Sequence, residues 1–116
     1  MQSLDCPVIT VGEDVVASMA AVILACGDHR QVYRHTQVLI HQLMGGTGMA
    51  QQTDIEIVAQ HTAAMRAELD ELLAEHGNLS AQEFHELTER DCWCNAKRAL
   101  ELGLVDEVIA PSKKAM

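Results

Sequence analysis

Residues 7–28 read PVITVGEDVVASMAAVILACGD, and the change of pattern within this stretch decides the fold class. Pro7 to Val11 is a short β-branched run, and Gly12-Glu13-Asp14 interrupts it with residues that favour turns. From Ser18 the alanine, methionine and leucine content favours helix as far as Cys26, where Gly27-Asp28 supplies a stop. The pattern is strand, turn, helix, with Ser18 at or near the helix start. A serine there has two readings. It can cap the helix, which is the simpler local role. Alternatively, its hydroxyl can stand in the partial positive charge of the helix start, with the next backbone N–H, that of Met19, placed to receive an oxyanion.

Moving outward, Val38-Leu39-Ile40 is a compact apolar triplet that reads as a buried strand. It ends at His41-Gln42 and runs into the glycine-rich Gly45-Gly46-Thr47-Gly48, so His41 belongs at a strand end beside a loop. Thr53-Asp54-Ile55-Glu56 fits a capping box. Beyond it, Ile55, Val58, Thr62, Met65, Leu69 and Leu72 recur at three- and four-residue steps, which predicts a helix of about six turns ending near Gly77. Ser80-Ala81-Gln82-Glu83 fits a second capping box and opens a short helix toward Arg90. Asn95 can cap a third helix, which Gly103 closes, and Leu104 to Ile109 returns as a strand before a polar tail expected to be disordered. Strands alternating with helices indicate one α/β domain over residues 1–116 with a largely parallel sheet.

Composition narrows the function. Eight Lys plus Arg against 17 Asp plus Glu leave a formal charge of -9, which repels a phosphate backbone, so nucleic acid is not an expected partner. The longest apolar run, Val15 to Cys26, is shorter than the roughly 20 residues a membrane-spanning helix needs. The first residues lack the basic start and apolar stretch of a secretory signal, so the expected location is cytoplasmic, with no membrane partner. Cys6, Cys26, Cys92 and Cys94 show no CxxC spacing and read as small structural hydrophobes. The six histidines include no HExxH, so no metal is expected, and most of them read as solvated.

Peptide hydrolysis needs a nucleophile, a base to take its proton and donors for the oxyanion. Ser18, His41 and Asp91 are of the residue types that form a triad, although they lie on different predicted elements.

The blocks Ala17-Ser18-Met19, Ile40-His41-Gln42, Gly45-Gly46, Thr53-Asp54-Ile55-Glu56-Ile57, Glu89-Arg90-Asp91 and Ala99 to Asp106 follow one another in an order that resembles the Clp protease proteolytic subunit family over nearly the whole chain. The resemblance implies a crotonase-like Clp protease fold, with helices flanking a largely parallel sheet and the long helix serving as a handle between rings. It implies a serine endopeptidase that cleaves unfolded polypeptide, with Ser18 as nucleophile, His41 as base, Asp91 as third member and Met19 N–H as an oxyanion donor. Leu43, Gly45 and Gly46 then belong to an edge that pairs with substrate backbone. Arg90 takes the place of an arginine at the ring–ring contact. A homo-oligomeric ring fed by a separate AAA+ unfoldase is also implied, with ATP used only by that partner and no cofactor on this chain.

The pattern is altered at several points. Asp14 and Val15 stand where the family has Gly-Gln, Ala20 replaces a Gly after Ser-Met, and Leu43 replaces a Pro after His-Gln. Asp and Ala resist conformations that Gly permits, so the backbone near Ser18 is expected to differ. Met1-Gln2 matches an internal point of the family, so roughly the first two-fifths of a usual subunit is expected to be missing. A non-catalytic ring subunit is the alternative that this opens.

Overall fold

A computed structural model describes residues 1–110, and the tail expected to be disordered lies largely outside them. The opening stretch is more finely divided than the sequence predicts. Ile9–Gly12 forms β1, Val15–Ala17 forms a separate β2, and Met19–Ala25 forms α1. Asp14 makes the break between the strands by taking a positive φ of 57°, a conformation that an L residue other than Gly adopts at a cost but that Asp tolerates better than most.

His29–Tyr33 forms β3 and Gln37–Ile40 forms β4. The long helix α2 covers Gln52–His76, followed by α3 at Ala81–Leu87, β5 at Cys92–Asn95, α4 at Ala96–Glu101 and β6 at Glu107–Ile109. The strands make two three-stranded sheets, ordered β1-β3-β6 and β2-β4-β5. Every pairing is parallel except β4 with β5, so the largely parallel expectation holds. The kink at Asp14 is what hands the chain from one sheet to the other.

Ala21, Leu24, Val32, Val38, Phe84 and Leu104 are among the buried side chains that fill the space between these sheets and α1, α3 and α4. Contacts are close where α1 returns: Thr10 Oγ1 donates to the Leu24 carbonyl at 2.8 Å. A Cβ on Gly27 would lie 2.5 Å from that hydroxyl, so only glycine lets the helix end there. Gly103, at φ +75°, ends α4 in the left-handed conformation that glycine adopts freely.

The capping box at Ser80 and Glu83 is present, and Asn95 caps α4 by accepting from Arg98 N. The box expected at Thr53 is not formed. Helix α2 begins two residues earlier, with Gln51 as its cap and no side-chain capping bond. Its apolar stripe is also not a core face along its whole length. Ile55, Val58 and Met65 are exposed, whereas Asp70 and Leu73 are the buried residues. The first half of α2 therefore stands in solvent, and only its second half packs on α1 and α3.

One charged residue organises the opposite end of the molecule. Arg30 on β3 is buried, and its Nη1 donates to the carbonyls of Ala25, His76 and Gly103 at 2.8–3.0 Å. Its Nη2 and Nε bind Asp106, at 2.7 and 3.1 Å. The ends of α1, α2 and α4 are thus pinned to one guanidinium. A planar fork with five donors suits this role, which a lysine could not fill.

Candidate active site

Parallel pairing of β2 with β4 sets Val15 beside Gln37, Val16 beside Val38 and Ala17 beside Leu39. Ser18 N–H extends that ladder by donating to the Leu39 carbonyl at 3.1 Å. The chain then turns sharply into α1, leaving Ser18 at φ 60° and ψ -127°, a region of high backbone energy for a residue with a Cβ. β4 meanwhile ends at Ile40, one residue past Leu39, and His41 follows it directly. The ladder register is therefore what brings the serine and the histidine side by side.

Their side chains meet, with Ser18 Oγ 2.6 Å from His41 Nε2. Ser18 makes no side-chain capping bond to α1, and this decides between the two readings of the serine: the hydroxyl faces the imidazole. His41 Nδ1 lies 2.6 Å from the Gln42 carbonyl oxygen. A carbonyl can only accept, so Nδ1 carries the proton and Nε2 is left to accept from the serine hydroxyl. This tautomer suits a general base.

Asp91 is exposed and makes no hydrogen bond to His41 in this structure; the Gln42 carbonyl holds Nδ1 instead. Its position is nonetheless close in register. The antiparallel pairing of β4 with β5 ends with Ile40 opposite Cys92, so His41 and Asp91 each lie one residue beyond the last paired position, where Gln42 N–H turns to the Thr88 carbonyl.

Met19 is the first residue of α1, so its N–H is one of the amides that a helix leaves without an intrahelical acceptor. Leu43, Gly45 and Gly46 lie in an irregular segment after His41. With Ile55, Val58 and Thr62 of α2 they bound an open cleft of about 440 Å³. Arg90 is exposed, and its Nη1 donates to the Glu89 carbonyl within its own turn.

A second cavity of about 220 Å³ opens beside Ser18 and His41, walled mainly by apolar side chains including Met19, Val22, Leu69 and Leu73. Two charged residues that the sequence did not single out, Arg66 and Asp70, also line it. Arg66 Nη1 donates to Gln42 Oε1 at 2.9 Å, and its Nη2 donates to the His85 carbonyl and to Glu89. Arg66 thereby ties α2 to the residue that orients His41. The i, i+4 spacing of Arg66 and Asp70, each one residue after a member of the α2 stripe, was the available signal, but it reads as a solvated face unless the helix is known to pack there.

Other titratable groups lie away from this centre. His29 binds Glu107 at 2.8 Å on the first sheet, while His35 is exposed in the turn before β4. The cysteines are free, with Cys94 buried as expected and Cys6 exposed against expectation. Burial, reinforced by the neighbouring Cys92, pushes the Cys94 thiol up to about 12. Among the described residues no three His, Cys, Asp or Glu side chains converge to hold a metal ion. No described helix is long and apolar enough to cross a membrane.

A serine at positive φ on a strand-to-helix turn, its hydroxyl against a histidine of the base tautomer, pairs a nucleophile type with a base. The Clp protease family model matches residues 1–112. The chain belongs to the Clp protease family. It is 38% identical over 112 residues to an ATP-dependent Clp protease proteolytic subunit of Lactococcus lactis subsp. cremoris, an alignment covering 94% of this chain and 56% of the relative. The corresponding subunit of Streptococcus sanguinis is 38% identical over 115 residues, covering 97% of this chain and 59% of that protein. The chain thus spans little more than half the length of these curated relatives.

Proposed function

We propose that this Clp family chain is a serine endopeptidase, acting as a proteolytic subunit of an ATP-dependent Clp protease that cleaves unfolded polypeptide through an acyl-enzyme. The observation that carries this reading is the 2.6 Å contact between Ser18 Oγ and His41 Nε2, made by a serine held at φ 60°. Ser18 Oγ attacks the scissile carbonyl while His41 Nε2 takes its proton. Negative charge develops on the carbonyl oxygen, where Met19 N–H at the helix start stabilises it. His41 then returns the proton to the leaving amine, and water repeats the sequence in reverse on the acyl-serine.

Asp91 is the third member in this reading. It offsets the positive charge of the imidazolium and takes over Nδ1 from the Gln42 carbonyl. Leu43, Gly45 and Gly46 offer their backbone to an extended substrate. Arg90 and the exposed first half of α2 are contact surfaces of a homo-oligomeric ring fed by a separate AAA+ unfoldase, and apolar side chains such as Ile55 and Met65 suit burial against another subunit.

Acyl-enzyme trapping tests the reading. The chain is incubated with an activated peptide ester, quenched in acid and digested. An acyl mass shift confined to the peptide containing Ser18 is expected, whereas acylation elsewhere, or none, would favour a non-catalytic ring subunit.

A further inference from the structure

Strand β5 reads Cys92-Trp93-Cys94-Asn95. Residues two apart on a strand project from the same face, and here the two sulfurs lie 3.7 Å apart. Cys94 is buried in the core and Cys92 is half-buried against it. Trp93 takes the opposite face and is exposed. A disulfide needs sulfurs about 2.0 Å apart and α-carbons within about 6.8 Å, and two steps of an extended strand cover about 6.4–6.8 Å. The pair therefore stands at the edge of bonding reach. β5 is also the edge strand of its sheet, paired only with β4, so its pleat can deepen without breaking a second ladder.

The place of this pair in the fold gives the bond a consequence. Asp91 directly precedes Cys92, and His41 directly follows Ile40, the residue that Cys92 faces across the ladder. Cys94 faces Val38 of the same strand. Drawing Cys92 toward Cys94 thus moves the end of β5 that carries Asp91, and it does so where β5 grips the end of β4 that carries His41.

We propose that Cys92 and Cys94 form a reversible oxidation site for hydroperoxides, and that closing their disulfide lowers turnover at Ser18 by displacing Asp91 and the end of β4. Burial pushes the Cys94 thiol up to about 12, so it stays protonated and Cys92, the thiol nearer solvent, is oxidised first. The Cys92 sulfur attacks one oxygen of hydrogen peroxide as the O–O bond breaks, which leaves a sulfenic acid on Cys92 and releases water. The Cys94 sulfur then attacks the Cys92 sulfur. The displaced hydroxide leaves with the Cys94 proton as a second water. The two thiols give up two electrons and two hydrogens, and the peroxide takes both. The loss of turnover rests on the peptidase reading, whereas formation of the bond does not.

The test uses the full chain, with hydrogen peroxide as oxidant and dithiothreitol as reductant. After oxidation, free thiols are alkylated and the chain is cut with trypsin, which places Cys92 and Cys94 together on residues 91–97 and Cys6 and Cys26 on residues 1–30. The 91–97 peptide is expected to be two hydrogens lighter and unalkylated, and to become doubly alkylated after reduction. Trp93, the single tryptophan of the chain, lies between the two sulfurs in sequence, so its fluorescence should fall on oxidation and recover with dithiothreitol. Peptidase kcat should fall about 10²-fold, the scale of a misplacement of about 1 Å, and recover on reduction. Cys92→Ser and Cys94→Ala should each keep their own starting activity through the same peroxide treatment.

A 91–97 peptide that stays doubly alkylated, or that carries a sulfinic acid without a bridge, while the reduced chain turns over substrate overturns the oxidation site and leaves the peptidase reading intact. A reversible bridge in a chain that shows neither turnover nor acylation of Ser18 overturns the peptidase reading and supports the site. A bridge with undiminished turnover, or equal losses in the two cysteine variants, overturns the coupling to Asp91.

Discussion

Arg30 and Ser18 each join several elements of this chain, and they do so in opposite ways. Arg30 spends its donors on three carbonyls and a carboxylate, and it is buried while doing so. Ser18 is exposed, sits in an unfavourable backbone conformation and gives its hydroxyl to one acceptor beside an open cavity. A saturated polar junction stabilises the fold, whereas a strained and unsaturated one is available for chemistry. Substitutions at the two places should therefore produce opposite profiles of stability and activity.

The largest effect is expected at the open junction. Ser18→Ala should lower peptidase turnover by about 10⁶-fold, the scale found when a serine nucleophile is removed. Its circular dichroism should stay unchanged, because Ser18 contributes no cap to α1. Residual activity above about 1% of wild type would move the nucleophile elsewhere. Next in size is Asp91→Asn, for which turnover should fall by up to about 10⁴-fold if Asp91 takes Nδ1 during the reaction. A fall of less than about tenfold would mean that the Gln42 carbonyl alone orients His41.

Arg30→Ala tests the saturated junction. It removes the guanidinium donors from three helix-end carbonyls and from Asp106, which keeps only the backbone N–H of residue 30, and a loss of about 3 kcal/mol in chemical denaturation is expected. The same pair sets an acid limit. Hydrogen bonds from Arg30 hold the Asp106 carboxyl below the ordinary carboxylate range. A carboxyl with a lowered folded-state pKa adds stability that is present above about pH 3.9, its unfolded value, and is lost as pH falls through the folded value. The acid unfolding transition of Arg30→Ala should accordingly be shallower than that of wild type. The smallest effect should come from Ser18→Gly, which relieves the positive φ and should raise stability by about 1 kcal/mol while abolishing activity. No gain in thermal midpoint would remove backbone strain from the account.

The two junctions also differed in how legible they were. Ser18, His41 and the short blocks around them carry recognisable local patterns, and the strand-to-helix change at Ser18 follows from apolar periodicity. Arg30 carries no such signal, since HRQVY over residues 29–33 is short and mostly polar. Its three carbonyl partners come from helix ends 5, 46 and 73 residues away. Helix α2 was legible as a helix, but not the face it buries. The same stripe is exposed at Ile55 and Met65, and the packed part includes Asp70, a residue whose charge argues for solvent. The break at Asp14 was anticipated as a departure, although its consequence, two strands in two sheets, depends on pairing partners far along the chain.

The central claim, that Ser18 is held by the fold for reaction with His41 as its base, is tested most directly by covalent labelling. The wild-type chain and its Ser18→Ala and His41→Ala variants are treated with a fluorophosphonate, and the modified residue is mapped by mass spectrometry. The account predicts labelling at Ser18 in the wild type, none in Ser18→Ala and labelling slowed by orders of magnitude in His41→Ala. Equal labelling of all three chains, or modification at another serine, would contradict it.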